Sequence, residues 1–265
     1  MEPARFEAIV VGKRFHGYAT ELLVEAPNAA GAVPGQFMHI KCDGRDGVIM
    51  RRPYSVFDAA ENTISFLVKD VGRGSAWLSA RKTGDILDLM GPLGRGFAVG
   101  DGQRSILVAG GTGIAPLHFL AGCMKERGLC AFLLWGMEGG DEYGELPNII
   151  ADRFDLRLSS MDGKRGIRGS AVDLLEACRE EGCTALYACG PRPMLLSLTD
   201  RARDMGFTLF QVSLEERMAC GVGACRGCVI PCSTPTGGYL SACRDGPVFD
   251  EGEVDWRRIR ESISA

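Results

Sequence analysis

The sequence predicts a multidomain β plus α/β fold: an antiparallel β-barrel over residues 1–100, a parallel α/β domain over 101–213, and a small cysteine-rich module over 214–265. Three observations predict it. Short β-runs broken by Gly, Pro and Asn turns fill the first hundred residues. A continuous apolar run, Ser105–Ala109, then opens a stretch of strand–helix alternation. Near the end, cysteines crowd one glycine-rich loop, with one more some way beyond it.

The barrel rests on runs at Phe6–Val11, Tyr18–Glu25, Gln36–Lys41, Tyr54–Asp58, Ile64–Lys69 and Ile86–Met90. Many short strands at close spacing indicate an antiparallel barrel or sandwich. Three motifs in this region carry binding chemistry. Arg51-Arg52-Pro53-Tyr54-Ser55 sets a guanidinium, an aromatic ring and a hydroxyl on one strand. Residues alternate faces along a strand, so Arg52 and Tyr54 point the same way. Arg forks onto a pyrophosphate, and Tyr stacks on a flat ring such as isoalloxazine. Gly72, Gly74 and Ser75 precede an expected helix at Ser75–Ala80, the geometry of a phosphate cradle. Gly91-Pro-Leu-Gly94-Arg-Gly96 is a further glycine-rich loop. Each motif alone is an ordinary strand start or turn.

In the second domain Ser105–Ala109 reads as a buried parallel strand. It runs into Gly110-Gly111-Thr112-Gly113-Ile-Ala-Pro116, followed by an expected helix at Leu117–Arg127. Strand, glycine turn and helix is the Rossmann-like arrangement for a dinucleotide pyrophosphate, although Pro116 departs from the usual glycine fingerprint. The alternation continues with strands at Cys130–Trp135, Leu156–Ser160 and Ala185–Ala188, and with a helix expected over Ala171–Arg179. Cys189-Gly190-Pro191 then opens another helix; Cys189 taken alone is an unremarked buried thiol. Glu138 follows the second strand, where a carboxylate accepts ribose hydroxyls and repels a 2′-phosphate, favouring NAD over NADP. As a solvated loop charge it would favour neither. His16, His39 and His118 stand without a sequence partner and receive no catalytic role.

The third segment contains Cys220-Gly-Val-Gly-Ala-Cys225-Arg-Gly-Cys228 and a distant Cys243. C-x4-C-x2-C with a remote fourth thiol is the plant-type spacing for a [2Fe–2S] cluster, and structural zinc more often uses two short C-x2-4-C knuckles. Gly221, Gly223 and Gly227 let backbone N–H groups turn toward sulfur. Three residues separate Cys228 from Cys232 and fourteen separate it from Cys243, so Cys243 is the favoured fourth ligand and Cys232 keeps no assigned role. Val229–Cys232 and Tyr239–Ala242 read as a hairpin across Thr234–Gly238 that returns Cys243 to the loop. So short a segment buries little core alone, which makes metal a source of its folding energy. The tail Val248–Trp256 is expected to pack on the other domains or on a partner.

Composition narrows the class. Charged residues are 24% and hydrophobic ones 46%, ordinary for a globular protein, and a net charge of −4 argues against nucleic acid. The N-terminus has charges inside any apolar core, unlike a signal peptide. The apolar run Ile106–Ala121 is interrupted by three glycines and a proline, so no membrane span is expected. Cys42, Cys123, Cys130, Cys178 and Cys183 form no framework and are expected to be small buried hydrophobes in a reducing cytoplasm.

The three barrel motifs in this order, together with the strand ending in Cys189-Gly190-Pro191, resemble the ferredoxin–NADP reductase family. That resemblance implies FAD contacts from Arg52, Pro53, Tyr54, Ser55, Leu67, Val68, Lys69, Gly74 and Ser75. It implies nicotinamide dinucleotide contacts from Gly110, Gly111, Thr112, Gly113, Cys189, Gly190 and Pro191. With Ser213–Cys228 and Cys243–Phe249, the whole chain is similar to the electron-transfer subunits of NAD-dependent, two-subunit dihydroorotate dehydrogenases. Arg226-Gly227 departs from the aromatic-plus-small pair common there, without touching a ligand. The resemblance implies an FMN-bearing (β/α)8 partner that oxidises dihydroorotate in pyrimidine biosynthesis, and a heterotetramer of two chains of each kind. It implies metal ligation by Cys220, Cys225, Cys228 and Cys243. Hydride transfer needs no protein acid–base pair, so no catalytic residue is expected. Reductase subunits of ferredoxin, sulfide or oxygenase systems share much of the pattern; a zinc-stapled, non-enzymatic module is the rival from another class.

Overall fold

The computed structural model describes residues 4–29, 31–42, 50–100, 102, 104–233 and 237–264. The first domain contains β1 (Ala4–His16), β2 (Ala19–Glu25), β3 (Phe37–Ile40), β4 (Arg52–Ser55), β5 (Asp58–Ala60), β6 (Thr63–Lys69), α1 (Arg73–Ser79) and β7 (Ile86–Leu93). Its strands form one antiparallel sheet ordered β4-β3-β7-β1-β2-β6-β5. The sheet curls on itself: Tyr54 on the β4 edge meets Phe66 of β6 with ring centroids 6.5 Å apart. Val10, Leu22, Met38, Phe66, Leu87 and Leu89 fill the interior. Alternate residues supply that core because side chains along a strand alternate faces.

The second domain contains β8 (Ser105–Gly110), α2 (Ile114–Glu126), β9 (Ala131–Met137), α3 (Leu146–Ala151), β10 (Asp155–Ser160), β11 (Ile167–Arg168), β12 (Ala185–Cys189), α4 (Arg192–Ala202) and β13 (Leu209–Ser213). Beyond it lie β14 (Val229–Pro231), β15 (Tyr239–Ser241), β16 (Val248–Asp250) and α5 (Trp256–Ser264). The sheet order is β11-β10-β9-β8-β12-β13-β16, with every pair parallel except β13–β16. The chain leaves β8 outward to β9 and later returns to β12 on the other side. The carboxyl ends of β8 and β12 therefore form the topological switch point where open α/β sheets bind ligands.

Two expectations needed correction. The helix expected over Ala171–Arg179 is replaced by 3₁₀ turns at Ala171–Leu174 and Glu176–Glu181. Asp173 caps Ser170, and Arg157 draws the Ala177 carbonyl (3.0 Å) away from an α-helical ladder. Cys130 is exposed, in the turn before β9, whereas Cys42 and Cys178 are buried and Cys123 and Cys183 half-buried. The β14–β15 hairpin forms as expected, Val229 opposite Ser241, although its tip at residues 234–236 lies outside the described residues.

The C-terminal segment has no core of its own. Ile230, Cys243, Phe249, Val254 and Ile259 share one buried cluster with Val108, Leu186 and Val212 of the α/β sheet. Apolar packing on that sheet therefore supports the module in addition to any metal. Removing the buried Phe249 ring should cost about 3–5 kcal/mol. Phe249→Ala is expected to lower the thermal midpoint of the whole α/β unit in one transition, measurable by calorimetry.

Candidate functional site

A cleft of about 530 Å³ opens between the barrel and the α/β sheet. Arg52, Pro53, Tyr54 and Ser55 of β4 form one wall, with Leu67 and Lys69 of β6 and the Val71–Ser75 turn. Facing them are Thr112 and Ala115 beyond β8, and Ser213, Leu214, Glu215 and Glu216 at the end of β13. Of the barrel residues expected here, Val68 alone does not line the cleft; it is fully buried in the barrel interior.

The β4 wall has a polar and an aromatic end. Arg52 Nη1 donates to the Met50 carbonyl (2.9 Å), and its stem passes so close to Gly74 that a Cβ there would lie 3.3 Å from Arg52 Cγ. Guanidinium and glycine backbone thus share one corner, suited to a diphosphate. Ser75 Oγ accepts from the Val71 and Gly72 N–H groups (both 2.9 Å), so the hydroxyl closes the turn. Burial pushes the Tyr54 phenol up, keeping it un-ionised. Lys69 pairs with the buried Glu142 of the loop after β9. The same loop is bound to the barrel by the Tyr18 N–H, which donates to the Glu142 carbonyl (2.9 Å). Glu138 is exposed, and its N–H donates to Glu142 Oε2 (3.1 Å).

The two glycine turns of the α/β domain pack against each other beside the cleft. A Cβ on Gly110 would sit 2.6 Å from Met194 Sδ and 2.8 Å from Pro191 Cδ, and one on Gly190 would sit 3.0 Å from Gly110 Cα. A Cβ on Gly113 would run into the Cys189 carbonyl. Gly111 differs: its φ is +55°, and the nearest atom to a Cβ there is the Tyr143 hydroxyl at 3.6 Å. Trp135 Nε1 holds the turn by donating to the Gly111 carbonyl (3.0 Å). Cys189 is fully buried, and burial pushes its thiol far up.

The cysteine loop starts at the cleft wall, since Met218 lines the cleft two residues before Cys220. Left-handed backbone at Gly221 (φ +75°), Gly223 (φ +80°) and Arg226 (φ +53°) coils the loop. Its N–H groups turn inward: Val222 and Cys225 donate to Cys220 Sγ (3.5 and 3.4 Å), Gly223 to Cys243 Sγ (3.0 Å), and Gly227 to Cys225 Sγ (3.4 Å). Burial opposes ionisation of Cys220, but backbone donors from Cys225, Val222 and Ala224 outweigh it and bring the thiol down to about 6. Cys243 is pushed up to about 12 by burial and by neighbouring Cys228. The thiols thus lie in two pairs, Cys220 with Cys225 and Cys228 with Cys243. Among the described residues no three His, Cys, Asp or Glu side chains converge on a single ion. Two thiolates for each of two irons is what a [2Fe–2S] cluster requires, so the donor set fits that group.

Residues 215–255 match the model of the iron–sulfur cluster binding domain of dihydroorotate dehydrogenase B. The chain is 38% identical over 226 residues to the electron transfer subunit of dihydroorotate dehydrogenase B (NAD(+)) from Bacillus caldolyticus, covering 83% of this chain and 86% of that one. Against the same subunit from Geobacillus sp. strain WCH70 it is 36% identical, covering 88% and 89%. The chain belongs to this family of electron-transfer subunits. A solved NADH-dependent reduced ferredoxin–NADP oxidoreductase superposes with a TM-score of 0.83 at 30% identity, over 97% of this chain and 92% of that one. The ferredoxin reductase of carbazole 1,9a-dioxygenase shares the fold at a TM-score of 0.65 and 24% identity, over 78% and 67%.

Within this family member, sequence reading found most of the barrel wall of the cleft and missed lining residues on the facing side. Phe37 lines it from a strand with no motif, while Ser213, Glu215 and Pro247 line it from the Ser213–Cys228 and Cys243–Phe249 stretches, which the sequence assigned to the cysteine module and not to the cleft. The histidines also separate. His16 meets Glu21 Oε2 at 3.3 Å, and His118 stacks on Phe57 with its Nδ1 3.0 Å from the Phe57 carbonyl. His39 is fully buried, with neither ring nitrogen in a well-formed hydrogen bond although the Arg51 and Cys220 carbonyls approach it.

Gly113 has φ −60° and ψ −10°, open to any residue, so only space demands glycine there. Gly113→Ala is expected to cost about 1–3 kcal/mol by overpacking. It should also raise the KM for NADH more than it lowers FAD content, as steady-state kinetics and flavin absorbance would show.

Proposed function

We propose that this chain carries electrons from an FMN-containing dihydroorotate dehydrogenase subunit to NAD⁺, through a [2Fe–2S] cluster and FAD. One observation carries the reading: the segment Ser213–Met218 is both a wall of the cleft and the lead into the four-cysteine loop. Hydride exchange at FAD and one-electron exchange at the cluster are the chemistry those groups supply when bound. The residues of the chain bind and orient.

Arg52 and the Gly72–Ser75 backbone hold the FAD diphosphate, Tyr54 covers the flavin ring, and Pro53, Ser55, Leu67 and Lys69 complete that site. The Gly110–Gly113 turn takes the pyrophosphate of NAD, and Cys189, Gly190 and Pro191 shape the nicotinamide end. Cys220, Cys225, Cys228 and Cys243 ligate the cluster, and the backbone N–H groups of the loop favour the thiolate form of Cys220. Residues 1–100, 101–213 and 214–265 act as flavin, nucleotide and cluster units. The assembly is a heterotetramer of two chains of each kind, working in the cytoplasm; no described helix is long and apolar enough to cross a membrane.

Cys225→Ser is expected to abolish transfer to and from the partner subunit while leaving NADH-to-dye activity within about twofold, because the dye takes electrons from the flavin. Loss of both, with FAD retained, would contradict this electron order. In an anaerobic titration of the co-purified complex, dihydroorotate and NADH should each bleach both the flavin and the iron–sulfur bands. Bleaching by NADH alone would transfer the substrate assignment to a ferredoxin or sulfide oxidoreductase system.

A further inference from the structure

Among the described residues, one buried polar group with no assigned role lies between the cleft and the cysteine loop. His39 sits on β3, on the same strand face as Phe37, which lines the cleft, and its backbone partner across the ladder is Pro53, which lines it as well. The imidazole is fully buried, and neither Nδ1 nor Nε2 makes a hydrogen bond of good geometry; the Arg51 and Cys220 carbonyls are backbone acceptors that approach the ring without reaching it. On its far side the ring meets the cysteine loop: a Cβ on Gly221 would lie 2.6 Å from His39 Nδ1 and 3.2 Å from Cε1. Gly221 adopts φ +75°, so the loop both turns and makes room for the ring at this one residue. The strand is fixed beneath it, because Arg51 Nη1 donates to the His39 carbonyl (3.2 Å) and the Asp88 carbonyl (2.9 Å), and Arg51 Nη2 donates to Asp88 Oδ1 (2.7 Å). Phe37 meets the ring edge-on at 6.5 Å.

A buried imidazole must carry an N–H, and an unmet buried donor is costly. Apolar side chains of similar size would fill the same space without that cost. The acceptors that the proposed function adds on the Gly221 side are the sulfurs of the cluster. We propose that His39 is a positioning residue that couples the flavin barrel to the cluster loop: its ring N–H on the Gly221 side supplies a hydrogen bond to the cluster and makes that cluster easier to reduce. Hydrogen bonds to cluster sulfurs disperse negative charge and so favour the reduced state. The inference rests on the cluster assignment above, and it makes His39 the side chain through which β3, a wall of the flavin cleft, touches the cysteine loop.

The test uses the full chain co-purified with its catalytic partner, in wild-type form and as His39→Leu and His39→Gln. Each is equilibrated anaerobically at a fixed NADH to NAD⁺ ratio, and the reduced fraction of the cluster is read by electron paramagnetic resonance, with FAD content checked by absorbance. His39→Leu is expected to lower the ratio of reduced to oxidised cluster about fivefold or more, with an altered spectrum, whereas the amide donor of His39→Gln keeps the ratio within about twofold of wild type. Loss of the cluster in the Leu variant together with its retention in the Gln variant also supports the proposal. A wild-type ratio and spectrum in His39→Leu overturns it, as does an equal shift or equal loss of cluster in both variants, which would make the role one of packing. A wild-type complex with no iron–sulfur signal would instead overturn the proposed function itself.

Discussion

The short ladder between β13 and β16 governs the architecture. Ser213 stands opposite Val248, and the Leu214 N–H donates to the Pro247 carbonyl (2.9 Å), so the whole segment 214–247 is a loop closed at its base. Closing both ends on the edge of a rigid sheet limits where the cysteines can go. Both ends also border the cleft, through Leu214 and Pro247. The cysteine loop is thereby held against the cleft by sheet hydrogen bonds, and the separation of the two is set by the fold.

Inside that frame, the thiols are graded from surface to core. Cys225 is exposed, Cys220 is half-buried, and Cys228 and Cys243 are buried. The outer pair opens toward solvent, and the inner pair shares the core that supports the α/β sheet. A loop of this kind needs backbone, more than side chains, to meet sulfur. That is why left-handed φ values concentrate at Gly221, Gly223 and Arg226.

Much of this was legible in the sequence because the chemistry uses short, local spacing. The C-x4-C-x2-C loop, the Gly110–Gly113 turn and the Arg52–Ser55 strand each sit within a few residues, and each lies at or beside the cleft or the cysteine loop. What stayed hidden depends on contacts distant in sequence. Glu142 looks like any loop carboxylate until Lys69, far earlier in the chain, is brought to it. The Ala171–Arg179 stretch has helical composition, and the arrival of Arg157 from β10 diverts its Ala177 carbonyl. His39 lacks any neighbouring partner in sequence, and its environment comes from Gly221, far along the chain but packed against its ring.

The turn between β1 and β2 illustrates how such distant contacts constrain evolution. Hairpin tips at a domain surface are usually where chains lengthen and shorten freely. Here Gly17 has φ +58°, and a Cβ on it would lie 2.5 Å from the Glu142 carbonyl oxygen and 2.8 Å from the Gly144 nitrogen, while Tyr18 beside it bonds the same loop. An inserted residue would lift that tip off the α/β domain and release Glu142 from Lys69. Related chains should therefore vary in length at other hairpins and hold this one at a constant number of residues.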